Sequence, residues 1–176
     1  MADPRPLGRL PGGPAGDSRA APREGGAATP ATAPPALASR LGYAGLIPFV
    51  LGALLIWSVR PDAHPYVVDA LAKYAAVIVS FLGGMQWGLR VRATEPAAPA
   101  GDSVGFLWGI LASLAAWVAV VMPAYAGLVL QGLLLIACYA FDRRSYPALG
   151  AGGWLTLRFR LTAVASLSCF IAAAGS

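Results

Sequence analysis

The sequence predicts an all-α protein: a polytopic membrane helix bundle of five transmembrane helices behind a disordered N-terminal tail. Of its 176 residues, 12% are charged and 57% are hydrophobic, whereas about a quarter of the residues in a soluble domain are charged. Five apolar stretches of roughly membrane-spanning length follow one another, separated by polar connections. We therefore divide the chain into a tail, residues 1–40, and a transmembrane domain, residues 41–176.

The tail is rich in residues that resist ordered structure. Residues 1–40 contain ten Ala, eight Pro and six Gly and no aromatic residue, so they bury too little apolar surface to offset the entropy of ordering. They have no continuous apolar run of the kind that a secretory signal needs, and the prolines break the amphipathic helix of a mitochondrial presequence. We predict a disordered, solvated linker.

The first span is predicted at residues 41–59, which contain no charged residue. A helix of this length, at about 1.5 Å per residue, covers about 28 Å, close to the thickness of the hydrocarbon layer. Pro48 lies inside the span and has no backbone N–H, so it predicts a kink near Gly45.

The second span, residues 66–89, carries Asp69 and Lys73 in its first turns. An acid four residues before a base favours an ion pair and suits the helix dipole. We interpret the pair as interfacial, with Lys73 extending toward the membrane surface. The alternative is a proton or ion relay.

Three further spans are predicted at residues 104–122, 124–141 and 157–174. The first two of these meet at Pro123, which predicts a very tight hairpin. The second is expected to stop at Asp142 and the two arginines after it. The last span is short, and we expect Arg158 and Arg160 to extend to the lipid headgroups.

Counting basic residues predicts the orientation. With the tail on one side of the membrane, eleven arginines lie on that side, and only Arg60 and Lys73 lie on the other. The positive-inside rule then places the N-terminus in the cytoplasm and the C-terminus in the periplasm. Twelve arginines against one lysine, with abundant alanine, glycine and proline, suggest a GC-rich genome and hence a bacterial inner membrane. In an organelle, the same rule would place the N-terminus in the matrix.

Two glycine pairs with the same pattern flank the second connection. Gly84 and Gly88 end the second span and Gly105 and Gly109 begin the third, each within a Gly-x-x-Trp-Gly sequence. Glycines four residues apart let two helices approach closely, which favours association where lipid has replaced water. Since both pairs lie in the same half of the membrane, we predict that they pack against each other.

Gln86 and Gln131 are the most polar residues well inside the spans. A buried amide is unfavourable without a hydrogen-bond partner, so we expect both to form interhelical hydrogen bonds. The alternative is a functional role, in which Asp69, Lys73, Gln86 and Gln131 line a polar path through the membrane. Such a path would serve a small-solute or proton-coupled transporter that acts as an oligomer.

Residues that catalysis and metal binding need are scarce. His64 is the only histidine, while Cys138 and Cys169 lie in apolar segments, where cysteine behaves as a small hydrophobic residue. We therefore predict no enzyme activity, no metal site and no cofactor. Topology explains the net charge of +5, and we predict no nucleic-acid partner.

Four segments of the transmembrane domain carry a family resemblance. They are LGYAGLIPF at residues 41–49, YAAVIVSFLGG at 74–84 followed by WG at 87–88, ACY at 137–139 followed by DRR at 142–144, and LRFRLT at 157–162. In this order they resemble the DUF3429 family, which is similar to the transmembrane protein 69 group of small multi-span proteins. The resemblance covers about residues 41–172. It implies a membrane topology and address, and no activity, cofactor or catalytic residue.

The leading hypothesis is an integral membrane protein without a catalytic site, which acts as an accessory or structural partner of other membrane proteins or lipids. Its expected partners are the lipid bilayer and either other membrane proteins or further copies of the chain. The oligomeric transporter is the second hypothesis.

Overall fold

A computed structural model of the chain describes residues 33–93 and 103–176. Within these two ranges the regular structure is helical, with no β-strand. The helices are α1 (Ala36–Ala44), α2 (Ile47–Ser58), α3 (His64–Ala93), α4 (Ser103–Val121), α5 (Ala124–Ser145) and α6 (Leu155–Ala174), and a 3₁₀ turn, Gly152–Trp154, precedes α6.

Five helical segments are long and apolar enough to cross a membrane, so the predicted all-α bundle is confirmed. The first combines α1 and α2, and the last combines the 3₁₀ turn and α6. The five segments are Ala36–Ser58, His64–Arg92, Ser103–Val121, Ala124–Ser145 and Gly152–Ala174.

The two faces of α4 show which solvent surrounds the bundle. Its outer face carries large apolar side chains, of which Trp117 is 64% exposed and Leu114 is 54% exposed. A protein in water would bury such side chains, whereas hydrocarbon accepts them. The buried residues of α4 are all small and let neighbouring helices approach closely: Gly105, Gly109, Ala112, Ala116 and Ala119.

The first span begins earlier than predicted. α1 starts at Ala36, directly after two prolines, because alanine, leucine and arginine are strong helix formers and proline is tolerated just before a first turn. Residues 36–40 therefore belong to a helix rather than to the predicted disordered tail. The greater part of that prediction falls on residues 1–32, which lie outside the described residues.

The helix break predicted near Gly45 is confirmed. α1 ends one residue before Gly45 and α2 begins after Leu46, with Pro48 in the first turn of α2. A proline is tolerated there, because the first N–H groups of a helix have no partner within it. The Tyr74 hydroxyl of α3 donates to the Gly45 carbonyl oxygen over 2.8 Å. A neighbouring helix thus supplies a hydrogen bond at the break.

Helices α3 and α5 extend past the predicted ends of their spans. α3 continues through Arg90 and Arg92, and α5 continues through Arg143 and Arg144. Arginines in the last turn interact favourably with the negative end of the helix dipole. The change from apolar to charged residues therefore does not mark the end of either helix. The hairpin between α4 and α5 is as tight as predicted, with two residues between the helices.

Helix α3 lies at the centre of the bundle and contacts α2, α4, α5 and α6. Its first residue, His64, has Nε2 2.9 Å from the carbonyl oxygen of Gly175, so the start of α3 meets the end of α6. The opposite end of the bundle holds the last turns of α3 and α5 and the first turns of α6. We call it the arginine-rich end, and its described arginines are Arg40, Arg90, Arg92, Arg143, Arg144, Arg158 and Arg160.

Candidate functional site

Five polar side chains from three helices meet inside the arginine-rich end. Helix α3 provides Gln86 and Arg90, one turn apart on the same face, and these are 1% and 5% exposed. Helix α5 provides Asp142, which is 2% exposed, and the partly buried Ser145. Helix α6 provides Arg158, which is 6% exposed. We call these five residues the buried polar cluster.

The carboxylate of Asp142 lies at the centre of the buried polar cluster. Arg158 donates to Oδ2 of Asp142 from Nε over 2.8 Å and from a terminal nitrogen over 2.5 Å. The side-chain amide of Gln86 donates to the other carboxylate oxygen. Both oxygens of Asp142 are therefore hydrogen bonded, one to α6 and one to α3.

The amide of Gln86 continues this network toward the end of α3. Its side-chain oxygen accepts a hydrogen bond from the guanidinium of Arg90 and lies 3.4 Å from the Ser145 hydroxyl. Arg90 also donates to the backbone carbonyl of Gln86 over 3.3 Å. Charged groups thus lie at both ends of the chain of hydrogen bonds, and the neutral amide links them.

The guanidinium of Arg90 lies among aromatic rings. Its central carbon is 5.5 Å from the centroid of the Phe141 ring, and that ring stacks on Trp108 with 4.8 Å between centroids. A cation over an aromatic face is stabilised by the ring quadrupole. A Cβ atom on Gly105 would overlap the guanidinium at 1.7 Å, so the glycine leaves the space that Arg90 fills.

Tyr146 is the first residue after α5 and lies next to the buried polar cluster. It is 1% exposed, and its backbone N–H donates to the Asp142 carbonyl over 2.8 Å. Burial, reinforced by the negative charge of Asp142, raises the pKa of Tyr146 to about 12. The phenol is therefore neutral across the physiological pH range.

The cluster is suited to holding three helices in one arrangement. A buried carboxylate is unfavourable unless it is paired and hydrogen bonded, and Asp142 is paired with Arg158. In soluble proteins, removing one partner of such a pair costs about 3–5 kcal/mol, because the other charge stays buried. The network therefore resists separation of α5 from α6 and of either from α3.

The expectations for Asp142 and Arg158 are wrong. Asp142 does not end its helix, and Arg158 does not extend to the headgroups but points into the bundle. The physical reason is that each charge satisfies the other, which removes the need to reach water. A usable signal was present in the sequence: Asp142 is the only acid in a segment that otherwise carries four arginines, from residue 142 to residue 160.

The structure does not bring together the four residues of the candidate polar path. Asp69 and Lys73 pair over 2.6 Å on the outer surface, with side chains 56% and 61% exposed. Gln86 lies further along α3, about 25 Å from Asp69 and about 20 Å from Lys73 at about 1.5 Å per residue. Gln131 is fully buried and donates to the Ala116 carbonyl of α4 over 3.0 Å. Each glutamine thus bonds to a different helix from its own.

The predicted packing role is wrong for Gly84 and Gly88, since a Cβ atom on either would meet nothing within 4 Å. The contact is made by Gly83, where a Cβ would lie 2.6 Å from the Gly109 carbonyl oxygen. Gly105 and Gly109 do face α3, as predicted. A shift of one residue rotates the contact face by about 100°, which places the first glycine pair outside it.

The remaining candidate ligands are two cysteines and one histidine. Cys138 and Cys169 are buried free thiols, and His64 is bonded to the chain end at the opposite pole of the bundle. Across the described residues, no group of three or more His, Cys, Asp or Glu side chains could hold a metal ion.

Comparison with known proteins identifies the family. A family model described as "Protein of unknown function (DUF3429)" matches residues 34–174, which include every helix of the bundle. The chain belongs to the DUF3429 family. The resemblance predicted from the four segments is thereby confirmed.

This DUF3429 protein is also similar to a curated protein, transmembrane protein 69 of Xenopus tropicalis. The two are 37% identical over 134 residues, which cover 73% of this chain and 50% of the relative. The chain thus spans about half the length of the curated relative it matches. No solved structure matches this DUF3429 protein. The relative's name indicates a transmembrane protein, and neither that name nor the family description gives a reaction.

Proposed function

We propose that this DUF3429 protein is a non-catalytic membrane protein that acts as an accessory or structural partner of other membrane proteins or lipids. The observation that carries the proposal is that the carboxylate of Asp142 is hydrogen bonded within the bundle. Both of its carboxylate oxygens accept hydrogen bonds from side chains of the bundle itself. The charged groups most suited to chemistry are therefore engaged in joining helices.

The outer surface supports the same proposal. Large apolar side chains cover it on every span, among them Trp57 at 62%, Phe81 at 63% and Trp117 at 64% exposure. A bundle with such a surface is suited to lateral contact with lipid or with another transmembrane helix. The pair of Asp69 and Lys73, which the transporter alternative requires, satisfies its own charges on this surface.

We further propose that the protein lies in a bacterial inner membrane with its arginine-rich end in the cytoplasm. The described residues of that end carry seven arginines and one acid, Asp142. The positive-inside rule supports this orientation. A reporter that is active only in the periplasm, fused after Ser176, should be active, and a reporter that is active only in the cytoplasm should be silent.

Photo-crosslinking tests the accessory role. A photoreactive phenylalanine analogue at Trp117, on the outer surface, should form an adduct with a defined protein or lipid in native membranes. The same analogue at Tyr146, an aromatic residue that is only 1% exposed, is the matched control and should crosslink only within the chain. If instead the reconstituted protein moves a solute or protons across vesicles, and Asp69→Asn abolishes that flux, the transporter replaces this proposal.

A further inference from the structure

An apolar cleft opens on the lipid-facing surface between the first span, α3 and α6. Its volume is about 460 Å³, within the range of about 300–1,000 Å³ found for small-molecule sites. Leu41 of α1 and Phe81 of α3 both line the cleft, and each is 63% exposed. The mouth of the cleft is therefore in contact with the hydrocarbon of the bilayer.

The cleft runs along the half of the bundle that leads to the arginine-rich end. On α6 its lining begins at Trp154, near the start of the span, and ends at Ala165, near the middle. That distance is about 16 Å at about 1.5 Å per residue, close to half of the hydrocarbon thickness of about 30 Å. On α3 the lining lies within residues 78–85, again in the half of the span nearer that end. The cleft therefore extends over about one leaflet.

The width of the cleft decides between a lipid and a helix. A volume of about 460 Å³ over a length of about 16 Å gives a mean cross-section of about 29 Å². An α-helix with its side chains is about 10 Å across, which gives a cross-section of about 80 Å². The cleft is thus too narrow for a transmembrane helix of a partner. A single hydrocarbon chain is both one leaflet long and much thinner than a helix.

The lining presents apolar groups to an occupant. Two polar residues, Arg158 and Thr162, are among the lining residues. The guanidinium of Arg158 is paired with Asp142 inside the bundle, and the hydroxyl oxygen of Thr162 is inaccessible. Recognition in the cleft therefore depends on apolar contact, and binding should not depend on the charge of a lipid headgroup.

Helix α1 stands to gain packing from an occupant. It has no buried residue, and it contacts α6 where Gly42 approaches Leu161 closely. Both of these residues also line the cleft. Dispersion contact drives helix packing where lipid has replaced water. A chain in the cleft therefore adds contacts that α1 does not make within the bundle.

We propose that the cleft binds one acyl chain of a phospholipid from the leaflet at the arginine-rich end. The acyl chain lies along α6 from Trp154 toward Ala165, and Met85 of α3 is among the residues around it. This inference rests on the proposed function and names a lipid as one of its partners. The length, the width and the apolar lining of the cleft support an acyl chain as the occupant.

The methionines of the protein provide the test. There are three, Met1, Met85 and Met122. Met85 lines the cleft, whereas Met122 follows α4 at the opposite end of the bundle and is 38% exposed. A diazirine analogue of methionine, close to methionine in size, replaces the natural residue throughout the full-length chain. After irradiation, mass spectrometry of the peptides locates each adduct and gives its mass, so Met122 is the internal control for loosely held lipid.

We expect both Met85 and Met122 to form lipid adducts in native membranes. The protein is then exchanged into detergent and irradiated again. The adduct yield at Met122 should fall about tenfold or more, while the yield at Met85 should fall less than about twofold, because a bound chain dissociates slowly. The adduct at Met85 should have the mass of an intact phospholipid.

Filling the cleft should displace the acyl chain. Ala38 lines the cleft on α1, and Ala38→Trp places a large side chain there. The matched control is Ala44→Trp, on the same helix but exposed and outside the lining. Ala38→Trp should lower the Met85 adduct retained in detergent about fivefold or more, and Ala44→Trp less than about twofold. The Met122 adduct in membranes should be equal in the two variants, as expected if both are inserted.

Three results would overturn the inference. They are equal losses of the Met85 and Met122 adducts in detergent, equal effects of the two tryptophan variants, and a Met85 adduct with a protein or with a molecule other than a phospholipid. The crosslinking at Trp117 is scored separately. If it identifies a membrane-protein partner while Met85 retains no lipid, the accessory role stands and the acyl-chain site falls.

Discussion

Replacing Arg158 by methionine is expected to destabilise the bundle strongly, because Asp142 would stay buried without its main partner. Asp142 is 2% exposed and receives hydrogen bonds from Arg158 over 2.8 and 2.5 Å. Loss of one member of a buried ion pair costs about 3–5 kcal/mol. The hydrogen bond from Gln86 remains and offsets part of the loss. We therefore expect the free energy of unfolding to fall by about 3 kcal/mol.

Two further variants isolate the buried charge as the cause. Asp142→Leu combined with Arg158→Met removes both charges and should recover most of the lost stability, since apolar replacements of buried ion pairs are often neutral or stabilising. Arg143→Met is the matched control, because Arg143 is the exposed neighbour of Asp142. It should change the free energy of unfolding by less than about 0.5 kcal/mol.

The measurement is the free energy of unfolding in bicelles, obtained by steric trapping of the first and last spans. The reasoning is refuted if Arg158→Met and Arg143→Met lose the same stability. It is also refuted if the double variant is no more stable than Arg158→Met, since the unpaired charge would then not be the source of the loss.

Three further predictions concern helix packing, pH and the polar path. Gly109→Leu should lower membrane abundance several-fold, because its Cβ would lie 2.7 Å from the Gly83 carbonyl oxygen. The control Gly88→Leu should leave abundance unchanged, because a Cβ there meets nothing within 4 Å. Equal losses of the two variants on an immunoblot would contradict the assignment of Gly109 to the face of α4 that packs on α3. Burial raises the pKa of Tyr146 from 10.0 to about 12, so the folded state holds the phenol proton more tightly. The contribution of Tyr146 to stability should be constant below about pH 10 and should fall by about 2–3 kcal/mol between pH 10 and 12. Tyr146→Phe should lose that fall, and an alkaline profile unchanged by the substitution would contradict the prediction. Asp69→Asn should leave abundance and growth unchanged, because the exposed pair with Lys73 contributes less than about 1 kcal/mol; loss of a proton-linked phenotype at normal abundance would support the transporter instead.

Local features of the fold were predictable because their physical causes are local. Pro48 lacks its N–H wherever the chain goes, so the break at Gly45 followed from sequence, and the tight hairpin at Pro123 did likewise. The start of α1 at Ala36 was missed because the prolines before it suggested that the disordered tail continued. Residues 36–40 form helix nevertheless, because their helical propensity is high and they directly precede an apolar span.

The contact faces were not predictable in the same way. In water, the apolar side of a helix identifies its buried face, but in a bilayer both the lipid side and the protein side are apolar. Gly83 and Gly84 therefore looked equivalent, and only the rotation of α3 against α4 selected Gly83. Gln86 was recognised as needing a partner, whereas its partner Asp142 was assigned to the membrane surface because it adjoins two arginines.

The sequence by itself determined the solvent of this protein, the number of its crossings and the end of the bundle that carries the arginines. These properties depend on the composition of single segments, and hydropathy and charge add along the chain. The tertiary structure alone decided that Asp142 and Arg158 are buried together and that Gly83 rather than Gly84 faces α4. Such choices depend on the rotation of each helix about its axis and on contacts between helices, which the composition of a single segment does not set.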